Sequence, residues 1–205
     1  MKILIGRPIH EVKDYSMERW LENVAKLQLE YPADLLMVDN SPGLDYVEKV
    51  KGYCEKYGVK NYKIEHLELP PEQGDGERVA HSRGVIIQEI LSRDHDAWFT
   101  WECDQLIPTN ALGKLVELMK IGNFMIINPN SWNREVPGEP NTEFGLSLIK
   151  RECLEKYGFL LEFGTEPDSQ NRGDNDTWFK KQILRYGGNF IDVYGVINPV
   201  YHLSE

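Results

Sequence analysis

The sequence has few cysteines, no long hydrophobic run and no excess of positive charge. Its three cysteines, Cys54, Cys103 and Cys153, are odd in number and widely spaced, a pattern that suits neither a disulfide framework nor a zinc site. No apolar segment reaches the roughly 18 residues that a transmembrane helix needs, and the apolar stretch at the start is too short for a signal peptide. We therefore expect a soluble protein of a reducing compartment, located in the cytoplasm.

The balance of charge argues against a nucleic-acid-binding protein. The chain has 23 Lys and Arg residues against 33 Asp and Glu, a formal net charge of −10, whereas a nucleic-acid face requires clustered basic residues. The 205 residues also contain no Gly/Ser-rich linker, low-complexity run or internal repeat. These features predict a single domain, residues 1–205, that is large enough to bury a substantial core.

Strand and helix patterns alternate regularly through the first half of the chain. Strands are predicted at Lys2 to Gly6, Asp34 to Asp39, Asn61 to Leu67 and Ala97 to Trp101. Apolar residues recur at helical spacing between them. This alternation predicts an α/β fold with a mainly parallel central sheet and helices on both faces. Ligands of such sheets bind at the carboxyl ends of strands, where Arg7, Asp39 and Asp104 lie.

The second half is less regular. Strands are predicted at Asn123 to Asn128, Phe144 to Ile149 and Phe190 to Val193, and a short strand at Val196 to Tyr201 precedes His202. The Pro-rich segment from Pro129 to Asn141 is about as long as the loops that bind ligands or act as lids. The acidic segment Asp174-Asn175-Asp176 is expected to stand just before a helix, where an acid often serves only as an N-cap.

The stretch AWFTWECDQLIP, Ala97 to Pro108, joins a predicted buried strand to two carboxylates. Because alternate side chains of an extended chain share a face, Glu102 and Asp104 are expected to point the same way, within several Å of each other. Two carboxylates about 4 Å apart repel by roughly 4 kcal/mol at an effective dielectric constant of about 20. The pair therefore favours a bound cation or a sugar hydroxyl, and the alternative is two solvated acids at a strand end.

Several segments together resemble the nucleotide-sugar glycosyltransferases of the GT-A fold, particularly the large inverting family 2. The resemblance depends on the order of the elements, the E-x-D motif after the fourth strand and the segment GLSLIKRECLEKYGF. It also depends on D-N-D-T-W-F, which has a glycine eight residues after its Phe. The likeness spans nearly the whole chain, although the first motif is usually D-x-D.

The resemblance implies roles for five residues of the donor side. Pro8 stands near the nucleobase, and Asp39 matches the acid that bonds it. Arg83 matches an arginine of the helix that lines the diphosphate, and Asp104 matches the metal-binding Asp. Glu102 stands where an Asp usually contacts ribose or metal. Its longer side chain leaves open whether Glu102 reaches the metal directly or through water.

The resemblance also implies a catalytic base. With Phe179 and Gly187 as anchors, Asn175 takes the first acidic place of the family pattern and Asp176 the second. Asp176 would then remove the proton from an acceptor hydroxyl as the new bond forms. Asp174 is the alternative base. For either residue, the helix N-terminus would favour the ionised carboxylate.

A metal site follows from the same resemblance. Related GT-A enzymes often supply a late histidine as a ligand, and His202 matches it, whereas a histidine in a terminal tail is otherwise simply exposed. With Asp104 and Glu102 it would form an oxygen and nitrogen set suited to Mn²⁺ or Mg²⁺. The metal would neutralise charge on the departing nucleoside diphosphate, with help from Arg83 and Arg7.

These expectations predict a metal-dependent enzyme that moves a sugar from a nucleotide-diphosphate donor to a hydroxyl acceptor, such as a glycan, a lipid or a small molecule. Residues 1–107 would form the nucleotide-binding half and 108–205 the acceptor-binding half. Trp132 and Trp178 are the candidate acceptor platforms. Inversion is expected from an Asp base, with retention as the alternative. Two other classes are a sugar nucleotidyltransferase, disfavoured because GRPIH after the first strand lacks a glycine-rich loop, and a non-catalytic nucleotide- or carbohydrate-binding relative.

Overall fold

Strands and helices alternate as the hydrophobic pattern predicts. The computed structural model describes residues 1–70, 72–129, 144–159 and 172–204, without the side chains of 172–175. The strands are β1 Ile3–Ile9, β2 Asp34–Asp39, β3 Tyr62–His66, β4 Ala97–Trp101, β5 Gln105–Leu106, β6 Ile126–Pro129, β7 Leu146–Lys150, β8 Phe190–Val193 and β9 Tyr201–His202. The α-helices are α1 Asp14–Glu30, α2 Asp45–Tyr57, α3 Asp75–Ser92, α4 Ala111–Gly122, α5 Arg151–Tyr157 and α6 Arg172–Arg185, and a 3-10 turn, Glu11–Lys13, precedes α1.

A seven-stranded sheet in the order β3-β2-β1-β4-β7-β6-β8 organises the molecule. Strands β1 to β4 pair in parallel, and so do β6 and β8. Only β7 of this sheet is reversed, because it pairs antiparallel with both β4 and β6. The predicted α/β fold with a mainly parallel sheet is therefore confirmed.

The core has two layers, one on each face of the sheet. Along β1, Ile3 and Ile5 pack in a cluster with residues of α1, α2 and α4, whereas Leu4 joins a second cluster with α3, α5 and α6. The layers differ because successive strand side chains point to opposite faces. Gly6 allows α3 to approach closely, since a Cβ there would lie 2.4 Å from a methyl of Ile86.

Two predicted boundaries are wrong in ways that matter for the site. Strand β1 continues through Pro8 to Ile9 instead of ending at Gly6. Its pairing with β4 ends at Ile5, so the proline lies where one edge of the strand is unpaired. Helix α6 already includes Asp176, so this acid does not precede the helix as an N-cap. The apolar periodicity of this segment begins only at Trp178 and therefore does not mark where the helix starts.

Two other boundaries also shift. Asn123 adopts a left-handed conformation, with φ of 51°, at the end of α4; strand β6 therefore begins only at Ile126. The tail forms its strand at Tyr201–His202, later than Val196 to Tyr201, and pairs with β5, which the sequence pattern did not predict. Trp132 and most of the predicted loop around it lie outside the described residues.

Candidate functional site

A cleft of about 220 Å³ opens where strands β1, β2 and β4 end. Its walls include Arg7 and Pro8 of β1, Lys13 of the 3-10 turn, Asn40 after β2 and Arg78 of α3. Three basic side chains from three segments of the chain thus line one small volume, which we call the basic cleft. The lining also includes the acidic Asp75, so basic side chains still outnumber acidic ones in a chain with a net charge of −10. This local excess of positive charge suits an anionic ligand.

Arg7 is the most distinctive residue of the basic cleft. No carboxylate among the described residues forms an ion pair with it, and its Nε is buried without a hydrogen-bond partner in the protein. A buried polar group without a partner is costly, and more so when charged. The guanidinium of Arg7 is therefore ready to receive an anion.

Arg78 is a cleft residue that the sequence analysis missed. Its guanidinium donates to the backbone carbonyls of Gln73, Asn40 and Pro70, at 3.0, 3.1 and 3.4 Å. These bonds tie α3 to the end of β2 and to the loop that precedes the helix. The sequence could have indicated Arg78, because it lies on the same helix as Arg83 and about one turn nearer the carboxyl ends of the strands.

The predicted extended arrangement of Glu102 and Asp104 is wrong. Strand β4 ends at Trp101, and the amide of Gln105 donates to the carbonyl of Glu102 at 3.0 Å, closing a turn. The Glu102 carboxylate accepts from the Gln105 amide group at 2.7 Å. The carboxylate of Asp104, whose side chain is 5% exposed, accepts from the ammonium of Lys13 at 2.8 Å. Each acid has its own partner, because a turn does not keep the alternation of a strand.

Lys13 is a second residue that the sequence analysis missed. Burial lowers its pKa, but hydrogen bonds to Asp104 and Tyr15 raise it more, so the net shift is upward. Lys13 therefore remains an ammonium ion at neutral pH. No local pattern marks it, since the pair with Asp104 joins positions 91 residues apart.

The C-terminal tail returns to the turn that carries Asp104. Strand β9 pairs antiparallel with β5, which places His202 opposite Gln105. The amide of Leu203 also donates to the carbonyl of Asp104 at 2.7 Å. The predicted metal residues Asp104 and His202 are thus neighbours along the backbone ladder.

The donor set allows a partial metal site. Among the described residues, no group of three His, Cys, Asp or Glu side chains is arranged to hold a metal ion. A carboxylate and an imidazole, from Asp104 and His202, suit Mn²⁺ when other oxygens complete the coordination. The chemistry of these two residues therefore suits a divalent metal ion, although Lys13 contacts Asp104 in this structure.

Asp39 is fully buried at the end of β2. One carboxylate oxygen accepts from the hydroxyl of Ser41 at 2.6 Å, and the other bonds Nδ1 of His66 at 2.8 Å. Its neighbour Asn40, rather than Asp39 itself, lines the basic cleft. In this arrangement both oxygens of Asp39 are engaged by the protein.

Arg83 and Asp176 meet across the second core layer. The guanidinium donates to one oxygen of Asp176 at 2.8 Å, and the backbone amide of Phe144 donates to the other at 2.8 Å. Asp176 is 4% exposed. Each oxygen keeps a second lone pair, so what limits Asp176 as a base is burial, and the carboxylate must become accessible before it can receive a proton from a hydroxyl. The side chain of Asp174, the alternative base, lies outside the description.

Two further residues stand on the α6 side of the site. Trp178 is partly buried and packs against the core cluster of α3, α5 and α6. Lys180, one turn after Asp176, has its pKa lowered by burial, while Asp192 and Asp176 act in the opposite direction. Trp178 thus belongs to a wall of the core as well as being a candidate acceptor platform.

Comparisons with known proteins bear on the fold. No protein-family model and no curated protein matches the sequence. In the part of the chain that the structure describes, none of the helices combines the length and the hydrophobicity required to cross a membrane. Solved structures, in contrast, match over as much as 95% of this chain despite 14% sequence identity.

Two proteins represent these structural matches. TarS of S. aureus matches with a TM-score of 0.66 over 95% of this chain and 35% of its own, and TarS 1-349 in complex with UDP-GlcNAc with 0.61 over 89% and 53%. Mannosyltransferase PcManGT from Pyrobaculum calidifontis, in complex with GDP-Man and Mn²⁺, matches with 0.68 over 95% and 55%. The chain spans from 35% to 61% of the length of such structures. Both proteins are GT-A glycosyltransferases, and this chain has the GT-A fold.

Proposed function

We propose that this chain is a metal-dependent glycosyltransferase that moves a sugar from a nucleotide-diphosphate donor to a hydroxyl acceptor. The observation that carries the proposal is the basic cleft at the carboxyl ends of the strands, with Arg7 unpaired among the described residues. A diphosphate would supply the negatively charged partner that Arg7 lacks among the described residues. The bound nucleotide sugars of TarS and PcManGT support the same class of donor.

The donor half would consist of residues 1–107. Every residue that lines the basic cleft belongs to this range, and residues 108–205 would then receive the acceptor. No glycine occurs in the sequence between Gly6 and Gly43, so no glycine-rich phosphate loop follows β1. This absence disfavours a sugar nucleotidyltransferase.

Different residues of the chain would bind the diphosphate, hold the metal ion and accept the proton. Arg7 and Lys13 would bind the diphosphate, and Asp104 with His202 would hold Mn²⁺ or Mg²⁺. The ion, when bound, would neutralise charge that develops on the leaving diphosphate. Asp176 would accept the proton of the acceptor hydroxyl once its carboxylate is accessible, and Arg83 would orient this carboxylate. An Asp that acts as base for direct attack by the acceptor hydroxyl on the donor sugar would give inversion.

A second candidate is a non-catalytic relative that binds the donor without transferring its sugar. The burial of Asp176, which is 4% exposed and bonded to Arg83 and to the Phe144 amide, favours this alternative. Hydrolysis of the donor distinguishes the two functions. An enzyme should slowly release free sugar from a nucleotide sugar in the presence of Mn²⁺, whereas a binding protein should release none.

The experiment has two stages. Thermal unfolding with a panel of nucleotide sugars, with and without Mn²⁺, would identify the donor, since a bound ligand stabilises the fold by mass action. Hydrolysis of that donor by wild type and Asp176→Asn would then test the base, with an expected loss of about 100-fold or more. Stabilisation by no nucleotide sugar would refute the proposed function.

A further inference from the structure

The ammonium of Lys13 contacts the Asp104 carboxylate, which is the predicted ligand of a divalent cation. We propose that Lys13 is an exchangeable counter-ion, an inference that rests on the proposed function. Without ligand its ammonium neutralises Asp104. When a metal ion binds Asp104, the ammonium moves within the basic cleft to the diphosphate of the donor.

Burial makes a positive partner necessary for Asp104. The side chain of Asp104 is 5% exposed, and the Lys13 ammonium lies 2.8 Å from its Oδ2. The ammonium also donates to the hydroxyl of Tyr15 at 3.2 Å. A carboxylate so removed from water requires a cation or protonation. A lysine that holds this site keeps the turn folded when no metal is present.

The metal and the ammonium exclude each other at Asp104. Both are cations, and contact with the same carboxylate would place them a few Å apart, where like charges repel. Metal binding therefore requires that Lys13 move. No covalent bond forms or breaks in this exchange, and no proton needs to be transferred.

The side chain of Lys13 is exposed enough to move, and the basic cleft offers its ammonium a second position. Its side chain is 40% exposed, and four flexible methylene groups carry the ammonium. The residue lines the same cleft as Arg7, so a diphosphate bound to Arg7 would lie within the cleft that Lys13 borders. One lysine would thus lower metal affinity before the donor arrives and raise donor affinity afterwards.

The test measures two affinities in the nucleotide-free and nucleotide-bound protein. Electron paramagnetic resonance reports free Mn²⁺, and calorimetry reports binding of the nucleoside diphosphate from the preferred donor. We expect Lys13→Met to bind Mn²⁺ about fivefold more tightly without nucleotide, a modest gain because the contact is partly screened by solvent. The same variant should bind the diphosphate with Mn²⁺ about tenfold more weakly, since it lacks one charged contact.

Three further variants make the result specific. Lys49→Met removes a lysine that also contacts an aspartate, Asp14, at 2.6 Å and is 50% exposed, but that lines a different cleft; neither affinity should change. Lys13→Arg keeps the positive charge and should change Mn²⁺ affinity less than Lys13→Met. Adding Asp104→Asn to Lys13→Met should abolish the gain in Mn²⁺ affinity.

Opposite shifts in the two affinities would support the exchange. Unchanged Mn²⁺ affinity in Lys13→Met would overturn it, and so would a gain that persists after Asp104→Asn. Unchanged diphosphate affinity in Lys13→Met would overturn the second half of the exchange. Failure of the proposed function is separate, because wild type would then bind no nucleoside diphosphate, while the nucleotide-free Mn²⁺ measurement would still report on Lys13.

Discussion

The guanidinium of Arg83 on α3 donates to the carboxylate of Asp176 on α6 at 2.8 Å, across 93 positions of sequence. Both side chains are largely buried, with 13% and 5% exposed. The family resemblance implies separate roles for them, Arg83 at the diphosphate and Asp176 at the acceptor. Their contact means that the orientation of the Asp176 carboxylate depends on a residue from the first half of the chain.

Removal of one member of this pair should destabilise the fold. We expect Asp176→Ala to lower the free energy of unfolding by about 3–5 kcal/mol, because Arg83 would remain as a buried, uncompensated charge. Asp176→Leu combined with Arg83→Met should restore most of the loss. Urea denaturation measures both effects. Glu48→Ala, which breaks an exposed pair with Lys51, is the control and should cost less than about 1 kcal/mol. An equal loss in all variants would contradict the prediction.

Arg7→Met should weaken nucleoside-diphosphate binding without loss of stability. Arg7 forms no ion pair within the described residues, so its removal breaks no ion pair there, while a charge-assisted bond to phosphate is worth about 1.5–3 kcal/mol. Calorimetry should therefore show a loss of affinity of about tenfold or more. Arg93→Met, which removes an exposed arginine paired with Glu89, should leave the affinity unchanged. Equal affinities of wild type and Arg7→Met would contradict the role of Arg7.

Asp104→Asn should abolish the metal dependence of nucleotide binding. In wild type, Mn²⁺ with the nucleoside diphosphate should raise the melting temperature, and a ligand at about 100 times its Kd adds about 2.7 kcal/mol of stability. Chelation with EDTA should remove this increment. Glu102→Gln should reduce it less, since the Glu102 carboxylate bonds Gln105 rather than Lys13. Undiminished Mn²⁺-dependent stabilisation in Asp104→Asn would place the metal elsewhere.

Two glycines should respond to alanine with opposite signs. A Cβ at Gly6 would lie 2.4 Å from a methyl of Ile86 and 2.7 Å from Nε1 of Trp98, so we expect Gly6→Ala to cost about 1–3 kcal/mol by overpacking. Gly52 lies inside α2 with nothing within 4 Å of such a Cβ. Gly52→Ala should therefore stabilise by about 0.5–1 kcal/mol. Denaturant titration checks both, and destabilisation by Gly52→Ala would be the contrary result.

The buried thiol of Cys54 should make stability fall at high pH. Burial raises the pKa of Cys54 from 9.0 to about 12, so the native state keeps a proton that the unfolded chain loses. The stability from this group is fully present below pH 9.0 and is lost as the pH rises towards about 12. Between about pH 8 and about pH 10, Cys54→Val should lose roughly 1 kcal/mol less stability than wild type. Equal losses in the two proteins would contradict this origin.

The extent of successful prediction varies between the halves of the chain. The strands up to β4 follow a clear apolar periodicity, and β2, β3 and β4 lie within one residue of their predicted bounds, whereas β1 continues to Ile9. The reversed direction of β7 was not predicted, because periodicity gives the spacing of buried side chains and not the direction of a neighbouring strand. The predicted geometry of Glu102 and Asp104 is wrong because β4 ends at Trp101 and a turn follows it.

The sequence by itself determined the α/β architecture, since the alternation of strand and helix periodicities is local and each period fixes which side chains can be buried together. It also located Arg7 and Asp104 at the carboxyl ends of predicted strands, whereas Asp176 was identified only through the family resemblance. Only the tertiary structure decided their partners. Lys13 with Asp104 and Arg83 with Asp176 are contacts between positions about 90 residues apart. Such contacts depend on how the sheet orders its strands and where the tail returns, and no local spacing encodes that order.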